Sequence, residues 1–156
     1  MKLTFKWSID MKRRTFCLGA LFTAAAPAFP AIAEPIRGTL YKDPQCGCCE
    51  GYAAYLRQNG FAIDIKPTHD LAEISQKAGI PADLQGCHSA FIEDYVVDGH
   101  VPVEAIENLL AEYPPIKGIT LPGMPAGSPG MSGEKIGLFA IYAIGQDGKP
   151  SVFMTL

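Results

Sequence analysis

Apolar and polar side chains recur along this chain with two different periods, which predicts a protein that combines strands with helices. Residues 61–65 alternate apolar and polar side chains, as a half-buried strand does. The segment 103–112 instead places Ile106 and Leu109 on one face of a helix. We therefore expect a strand at the first position and an amphipathic helix at the second.

Shorter segments complete the predicted order of elements. Two further helices are expected, one around 52–56 that ends at Asn59-Gly60 and one that runs from Asp70, as its N-cap, to Lys77. Asp147-Gly148 is a common hairpin turn, so the apolar segments on either side of it are expected to pair. The other predicted strands are 38–41, 89–92, 95–97, 139–144 and 151–154.

The segment 118–133 differs from the rest of the chain because it is dense in glycine and proline. Such a composition disfavours both helix and strand. We expect a long ordered loop or flap here.

The order of these elements predicts an α/β fold, namely a sandwich of the thioredoxin-like type. Its first strand leads into a helix whose N-terminus carries the C-x-C-C motif of Cys46, Cys48 and Cys49. Backbone N–H groups and the helix dipole stabilise a thiolate at that end of a helix. The motif is thus placed to hold anionic sulfur at neutral pH.

The N-terminal segment has the features of an export signal. A basic stretch, Lys12-Arg13-Arg14, precedes an apolar segment, and Ala31-Ile32-Ala33 is a small-residue cleavage sequence. We expect residues 1–33 to be removed as a signal peptide. Residues 34–156 would then form one mature domain with no membrane span.

Two details of this signal stay open. Arg13-Arg14-Thr15-Phe16 resembles a twin-arginine signal, so both this route and the general secretory route are considered. The ten residues before Met11 look like an extension from an upstream start, which makes Met11 a candidate for the true start. Cys17 would leave with the signal in either case.

The charge of the mature domain excludes some classes of partner. Residues 34–156 contain eight Lys and Arg against fifteen Asp and Glu, a formal net charge of −7 with neutral histidines. An acidic domain is poorly suited to nucleic acid or to anionic membrane surfaces. The same charge does not repel metal cations.

The mature domain keeps four cysteines, Cys46, Cys48, Cys49 and Cys87. An even number of cysteines in an exported protein usually indicates structural disulfides. The spacing argues against that here, because the adjacent Cys48 and Cys49 could bridge each other only with severe strain. Thiolates are soft ligands that select Cu(I), zinc or iron–sulfur clusters, so we expect a metal site, a redox site, or both.

Copper is the metal that the spacing favours. Three thiolates spread over one helical turn do not converge easily on one tetrahedral ion, but they can bridge several Cu(I) ions. Structural zinc usually takes two separated ligand pairs, which the C-x-C-C and Cys87-His88 pattern does not match. An iron–sulfur cluster at an exported, exposed site would be oxidised.

Four further residues are candidate ligands, each with an ordinary alternative. His88 could ligate or cap a loop, and His100 could ligate or lie in a solvated turn. Thioethers suit Cu(I), so Met124 and Met131 could cover the site from the glycine-rich loop, or they could fill gaps in the core. Sequence alone leaves these alternatives open.

Four motifs in order resemble those of the CopG-type copper-resistance family, small exported bacterial proteins long described as a domain of unknown function. The motifs are residues 41–49, 86–90, 95–102 and 121–131. The resemblance implies a thioredoxin-like fold, a periplasmic location and copper ligation by Cys46, Cys48, Cys49 and Cys87. Tyr52 departs from the pattern, because relatives often carry tryptophan there.

Three functional hypotheses follow. The first is a periplasmic protein that sequesters or relays Cu(I), one ion or several, for copper resistance, with copper ions and other periplasmic copper-handling proteins as its partners. The second is a thiol-disulfide or copper oxidoreductase, with Cys46 as nucleophile and Cys49 or Cys48 as the resolving cysteine. The third is a zinc-stabilised structural module.

Overall fold

The computed structural model describes residues 34–156, and the statements below concern these residues. The predicted signal peptide 1–33, its twin-arginine motif, the alternative start Met11 and Cys17 lie outside the described residues. Among the described helices, none is both long enough and apolar enough to cross a membrane.

The described residues form a mixed α/β structure in which three helices pack on one seven-stranded sheet. The helices are α1 (Gly47–Gln58), α2 (Leu71–Lys77) and α3 (Val103–Glu112), with a short 3-10 turn at Ala82–Leu84. The strands are β1 (Ile36–Lys42), β2 (Phe61–Pro67), β3 (His88–Ile92), β4 (Tyr95–Gly99), β5 (Ile116–Leu121), β6 (Ala140–Gly145) and β7 (Pro150–Thr155).

The strands lie in the order β2-β1-β3-β4-β5-β6-β7. The pairs β1–β2 and β4–β5 are parallel, and the other neighbours are antiparallel. The predicted helix 103–112 is confirmed as α3, and the predicted hairpin around Asp147-Gly148 is confirmed as β6 and β7. Asp70 occupies the N-cap position of α2, but its side chain makes no capping hydrogen bond.

Side chains alternate between the two faces of the sheet along its strands, and each face carries a cluster of buried residues. Ala90 and Ile92 on β3 belong to the main core, which buries one face of α1 and one face of α3. Phe91, between them, packs instead with the smaller cluster of Ile80, Val96 and Ile144. The helix α2 lies on this second face, where Ser75 contacts Ser89.

The prediction of a loop across 118–133 is wrong at its start, because residues 116–121 form the strand β5. Gly118 weakened the local signal for a strand, but the sheet requires a residue without a side chain at this position. A Cβ on Gly118 would lie 1.9 Å from the carbonyl oxygen of Val96 on β4. A glycine inside a strand often marks such a close approach, and β4 and β6 pair with β5 on its two sides.

Candidate metal centre

The four cysteines of the mature domain meet at one end of the sheet. Cys46 is the N-cap of α1, and Cys48 and Cys49 lie in its first turn. The Sγ of Cys48 lies 3.5 Å from that of Cys46 and 3.7 Å from that of Cys87. The Sγ of Cys49 lies 3.5 Å from that of Cys87. The fold therefore brings the four sulfurs together, as the sequence predicted.

Strand pairing explains why two distant segments meet here. β1 and β3 are antiparallel neighbours, and Lys42 at the end of β1 is the register partner of His88 at the start of β3. The end of one antiparallel strand lies beside the start of the next. The chain that leaves β1 toward α1 therefore passes the residue that precedes β3, which is Cys87.

A buried lysine holds the short connection between β1 and α1. Lys42 is 2 % exposed, and its Nζ donates to the carbonyl oxygens of Asp43 at 3.1 Å and Pro44 at 3.4 Å. The same Nζ lies 3.2 Å from a carboxylate oxygen of Glu50 in the first turn of α1. The carbonyl of Asp43 also accepts the N–H of Cys46 at 3.0 Å. Sequence reasoning missed Lys42, because a lysine at a strand end ordinarily lies in solvent.

Cys46 and Cys49 are joined by a disulfide, whereas Cys48 and Cys87 are free and half-buried. Ligation of copper by all four cysteines, which the family resemblance implies, requires four reduced sulfurs, whereas the form that the structure describes has two. The pairing follows from the helix, because residues three apart lie on the same side of its first turn. Reduction of this one disulfide would return all four thiols to the site.

A second group of donor atoms adjoins the cysteines and shares Cys87 with them. The Sγ of Cys87 lies 3.3 Å from Nε2 of His100 and 3.4 Å from Nδ1 of His88. Both imidazoles are fully buried. The structure thus places the two histidines inside the site, and the alternative of a solvated turn for His100 is wrong. In each of two groups the possible ligand atoms lie within 4.8 Å of one another: Cys46, Cys48, Cys49 and Cys87 in one, and Cys87, His88 and His100 in the other.

The hydrogen bond of His100 to the backbone fixes which of its ring nitrogens carries a lone pair. Nδ1 of His100 lies 2.6 Å from the carbonyl oxygen of Pro129, which can only accept, so Nδ1 carries the proton. Nε2 of His100 then presents its lone pair toward Cys87. Nε2 of His88 is buried and has no hydrogen-bond partner within the described part of the chain. The nitrogen of His88 that faces Cys87 is its other one, Nδ1.

The protonation states of the metal-free site follow from its burial. Burial, followed by the neighbouring Cys48, raises the pKa of Cys87 to about 12. Burial, followed by the neighbouring His100, lowers the pKa of His88 to about 3, and burial also lowers the pKa of His100. The site therefore holds neutral imidazoles and a neutral Cys87 thiol at pH 7. A bound soft cation would displace the thiol proton, because thiolate is the ligating form.

Tyr52 packs against the two histidines from the side of α1. Its ring is fully buried and lies 4.5 Å from the ring of His88 and 5.4 Å from that of His100, between ring centroids. Its hydroxyl donates to the carbonyl oxygen of Val101 at 2.8 Å. Tyr52 therefore packs against both candidate histidine ligands.

The loop after β5 lies against the site through its backbone. Pro129 accepts the bond from His100, and Gly130 packs so closely on α1 that a Cβ there would lie 2.5 Å from the backbone nitrogen of Tyr52. Met131 is half-buried, and Met124 is 40 % exposed. The roles of these two methionines as ligands stay a prediction.

The fold and the site together define a small mixed α/β protein whose cysteine cluster is capable of binding metal. The chain belongs to the family of CopG copper resistance proteins. Two solved structures described as "Copper resistance protein copG", in forms 2 and 1, are each 31% identical to it, with TM-scores of 0.73 and 0.72. They cover 79% of this chain, and the matches span 99% and 98% of theirs.

Two further comparisons complete this assignment. The family described as "Protein of unknown function, DUF411" matches residues 84–131, which include Cys87, His88 and His100. No curated protein matches the chain significantly. The family membership that the four sequence motifs predicted is confirmed.

Proposed function

We propose that this protein binds Cu(I) through Cys46, Cys48, Cys49 and Cys87 and so contributes to copper resistance and homeostasis. The observation that carries the proposal is that four sulfurs from two distant segments lie within 4.8 Å of one another. Soft sulfur donors select soft cations, and Cu(I) is the softest of the common biological candidates. The solved relatives are described as copper resistance proteins, which supports copper as the cargo.

The proposal includes more than one copper ion. Cys87 belongs to both groups of donor atoms, and a thiolate sulfur can bridge two metals. One ion would lie among the four sulfurs, and another would lie between Cys87, His88 and His100. Met124 and Met131 are weaker candidates to complete the coordination from the adjoining loop.

The proposed function requires that the Cys46–Cys49 disulfide be reduced first, so that all four sulfurs can bind copper. A dithiol reductant would deliver two electrons and two protons, break the S–S bond and leave four thiols. Copper binding would then release thiol protons to solvent, because each ligating sulfur is a thiolate.

Export to the periplasm is part of the same proposal. Residues 1–33 would be cleaved as a signal peptide, by either the general secretory or the twin-arginine route, to leave a mature domain of residues 34–156. The other periplasmic copper-handling proteins would be its donors or acceptors. A thioredoxin-like core is also proposed, because the order β1-α1-β2 followed by β3-β4-α3 follows that arrangement.

Copper loading of the full chain, expressed in a bacterial host and purified anaerobically from the periplasm, tests the proposal. We expect an N-terminus at or near Glu34 and X-ray absorption dominated by Cu–S bonds. Replacing both Cys48 and Cys49 with serine should lower the copper content at least by half. Ser151→Cys, which adds an exposed cysteine on β7, should leave the copper content unchanged. Copper content that is the same in the double variant, or bound zinc that excess Cu(I) does not displace, would contradict it.

One observation favours a second candidate, a thiol-disulfide or copper oxidoreductase. Cys46 and Cys49 form the disulfide that such an enzyme requires, and the free thiol of Cys87 lies 3.5 Å from the Sγ of Cys49. The pair Cys87-His88 occupies the place where thioredoxins carry a substrate-binding cis-proline, which argues against this candidate. Rapid insulin reduction by the metal-free protein with dithiothreitol would favour the enzyme over the copper carrier.

A further inference from the structure

Asp98 is a buried carboxylate that no part of the proposed ligand set uses. It lies on β4 and is fully buried. Its side chain points to the face of the sheet that α2 covers, opposite the core that contains Tyr52. Its neighbours along the strand are Val97, which packs in the main core, and Gly99.

The carboxylate of Asp98 accepts hydrogen bonds from three neutral donors. Oδ1 accepts the backbone N–H of Gly86 in a short hydrogen bond. Oδ2 accepts the hydroxyl of Ser89 at 2.6 Å and that of Ser75, on α2, at 3.4 Å. Within residues 34–156, no lysine or arginine forms an ion pair with Asp98. Burial raises the pKa of Asp98, and the bonds from Ser89, Gly86 and Ser75 act in the opposite direction.

Two of these donors bracket the candidate ligands Cys87 and His88. Gly86 directly precedes Cys87, and Ser89 directly follows His88. Asp98 itself lies two residues before His100, the third member of the histidine group. The carboxylate of Asp98 therefore links, through hydrogen bonds, the segment that supplies Cys87 and His88 to the segment that supplies His100.

We propose that Asp98 is the positioning residue that holds Cys87 and His88 beside His100. The inference rests on the proposed function, because it assigns a role in that same metal site. Hydrogen bonds to a charged acceptor are stronger and more directional than those between neutral groups. Partners that orient ligands without touching the metal typically change its affinity 10- to 100-fold when they are removed.

Two glycines make this arrangement possible. A Cβ on Gly86 would lie 2.6 Å from the Cα of Gly99, so only glycine lets the loop approach β4 closely enough to reach Asp98. Gly99 has a φ of +74°, and a Cβ there would lie 2.5 Å from the carbonyl oxygen of Leu121. The chain is thereby turned at Gly99 so that His100 faces Cys87, at 3.3 Å between its Nε2 and the sulfur.

Three variants separate positioning from a general loss of stability. Asp98→Ala removes both acceptor atoms, whereas Asp98→Asn keeps an acceptor for Gly86 at the same place. Thr120→Val is the matched control. Thr120 is the buried register partner of Asp98 on β5, and its hydroxyl donates to the carbonyl of Leu84, two residues before Gly86. Thr120 therefore holds the loop that precedes Cys87, but at a point that does not adjoin the candidate ligands.

Cu(I) affinity, measured by competition with a chromogenic chelator on the full-length protein, gives the first comparison. We expect Asp98→Ala to weaken binding about 10- to 100-fold, Asp98→Asn to weaken it less because it keeps one acceptor atom without the charge, and Thr120→Val to stay within about threefold of the parent. Equal losses in Asp98→Ala and Thr120→Val would overturn the proposal. If Asp98→Ala does not fold, Ser89→Ala, which removes only the donor that follows His88, replaces it in the comparison.

A second comparison needs no copper, so it separates this inference from the proposed function. In the disulfide form only Cys48 and Cys87 are free thiols in the described domain. Alkylation followed by peptide mass mapping gives their relative reactivity. We expect Asp98→Ala to raise the rate of Cys87 relative to Cys48 at least fivefold, and Thr120→Val to leave that ratio unchanged. An unchanged ratio in Asp98→Ala would refute the positioning role, whatever the copper measurements show. A changed ratio in a protein that binds no copper would refute only the proposed function.

Discussion

Cys87 is the residue on which the site depends most. Its sulfur lies within 3.7 Å of Cys48, Cys49 and both histidines, so it joins the all-sulfur group to the histidine group. Burial keeps its thiol protonated when no metal is present. Loss of the proton is therefore coupled to the arrival of a cation, which makes metal affinity fall as pH is lowered.

His88 should make the metal-free protein less stable in acid. Its pKa is about 3 in the folded protein because of burial and the adjacent His100, against an ordinary value of 6.5. Between these pH values the unfolded chain binds a proton that the folded chain does not bind. Stability is therefore lost as pH falls from 6.5 toward 3, by up to about tenfold in the unfolding equilibrium constant per pH unit.

Urea unfolding of the metal-free protein at several pH values between 7 and 4 measures this effect. His88→Phe keeps a ring against Tyr52 but removes the titration, so its stability should fall less steeply in this range. His69→Asn, which changes an exposed histidine outside the site, is the matched control. Parallel profiles for the parent and His88→Phe would show that His88 does not titrate as the structure indicates.

At the scale of elements, the loop between β5 and β6 is held against α1 by backbone contacts. Gly130 meets Gly51 and Tyr52 of the helix, and Pro129 bonds His100. Two glycines facing each other allow the loop and the helix to approach without side chains between them. The loop thereby covers the histidine group on one side.

Gly130→Ala should loosen this loop, and Gly123→Ala is its matched control. Both glycines have a left-handed backbone, with φ of +80° and +78°. Either alanine should therefore cost about 1–2 kcal/mol in the free energy of unfolding. Only at Gly130 would the new Cβ meet the helix, 2.5 Å from the nitrogen of Tyr52, whereas nothing lies within 4 Å at Gly123.

Unfolding in urea and NMR of the His100 ring test this difference. We expect Gly130→Ala to be the less stable variant and to shift the Nδ1 proton signal of His100, because its bond to Pro129 is lost. Gly123→Ala should leave that signal in place. Equal stabilities with an unmoved signal in both variants would show that the loop does not depend on this contact.

At the scale of the whole molecule, the oxidation state of one disulfide decides how many sulfurs the site offers. Within residues 34–156 there are two free thiols, Cys48 and Cys87, and two sulfurs bound to each other. A disulfide sulfur is a poor metal ligand because it carries no thiolate charge. The same fold thus has a state rich in donors and a state poor in donors.

Copper capacity should follow this oxidation state. The reduced protein should bind about twice as much Cu(I) as the disulfide form, because two of the four sulfurs become available. Metal analysis after anaerobic loading, with and without prior reduction, measures the ratio. A variant with serine at both Cys46 and Cys49 cannot form the disulfide, so reduction should not change its capacity. A parent protein whose capacity is equal in both states would contradict the prediction.

Much of this protein could be predicted from local patterns in its sequence. The helix at 103–112, the hairpin around Asp147-Gly148 and the start of α1 at the cysteine motif all follow from periodicity and turn residues within short segments. The motifs also placed the chain in its family, which the solved relatives confirm. These features are local, so the residues that specify them are neighbours in the sequence.

Only the tertiary structure decided the features that depend on contacts between distant segments. Gly118 belongs to a strand because Val96 on β4 and Ile144 on β6 pair with it directly, although its own segment favours a loop. The burial of His88 and His100 and the bonds of Asp98 to Gly86 and Ser89 depend on how β3 and β4 pair. The sequence determined which donor atoms exist, and strand register determined which of them meet, because register sets the distance between residues that are far apart along the chain.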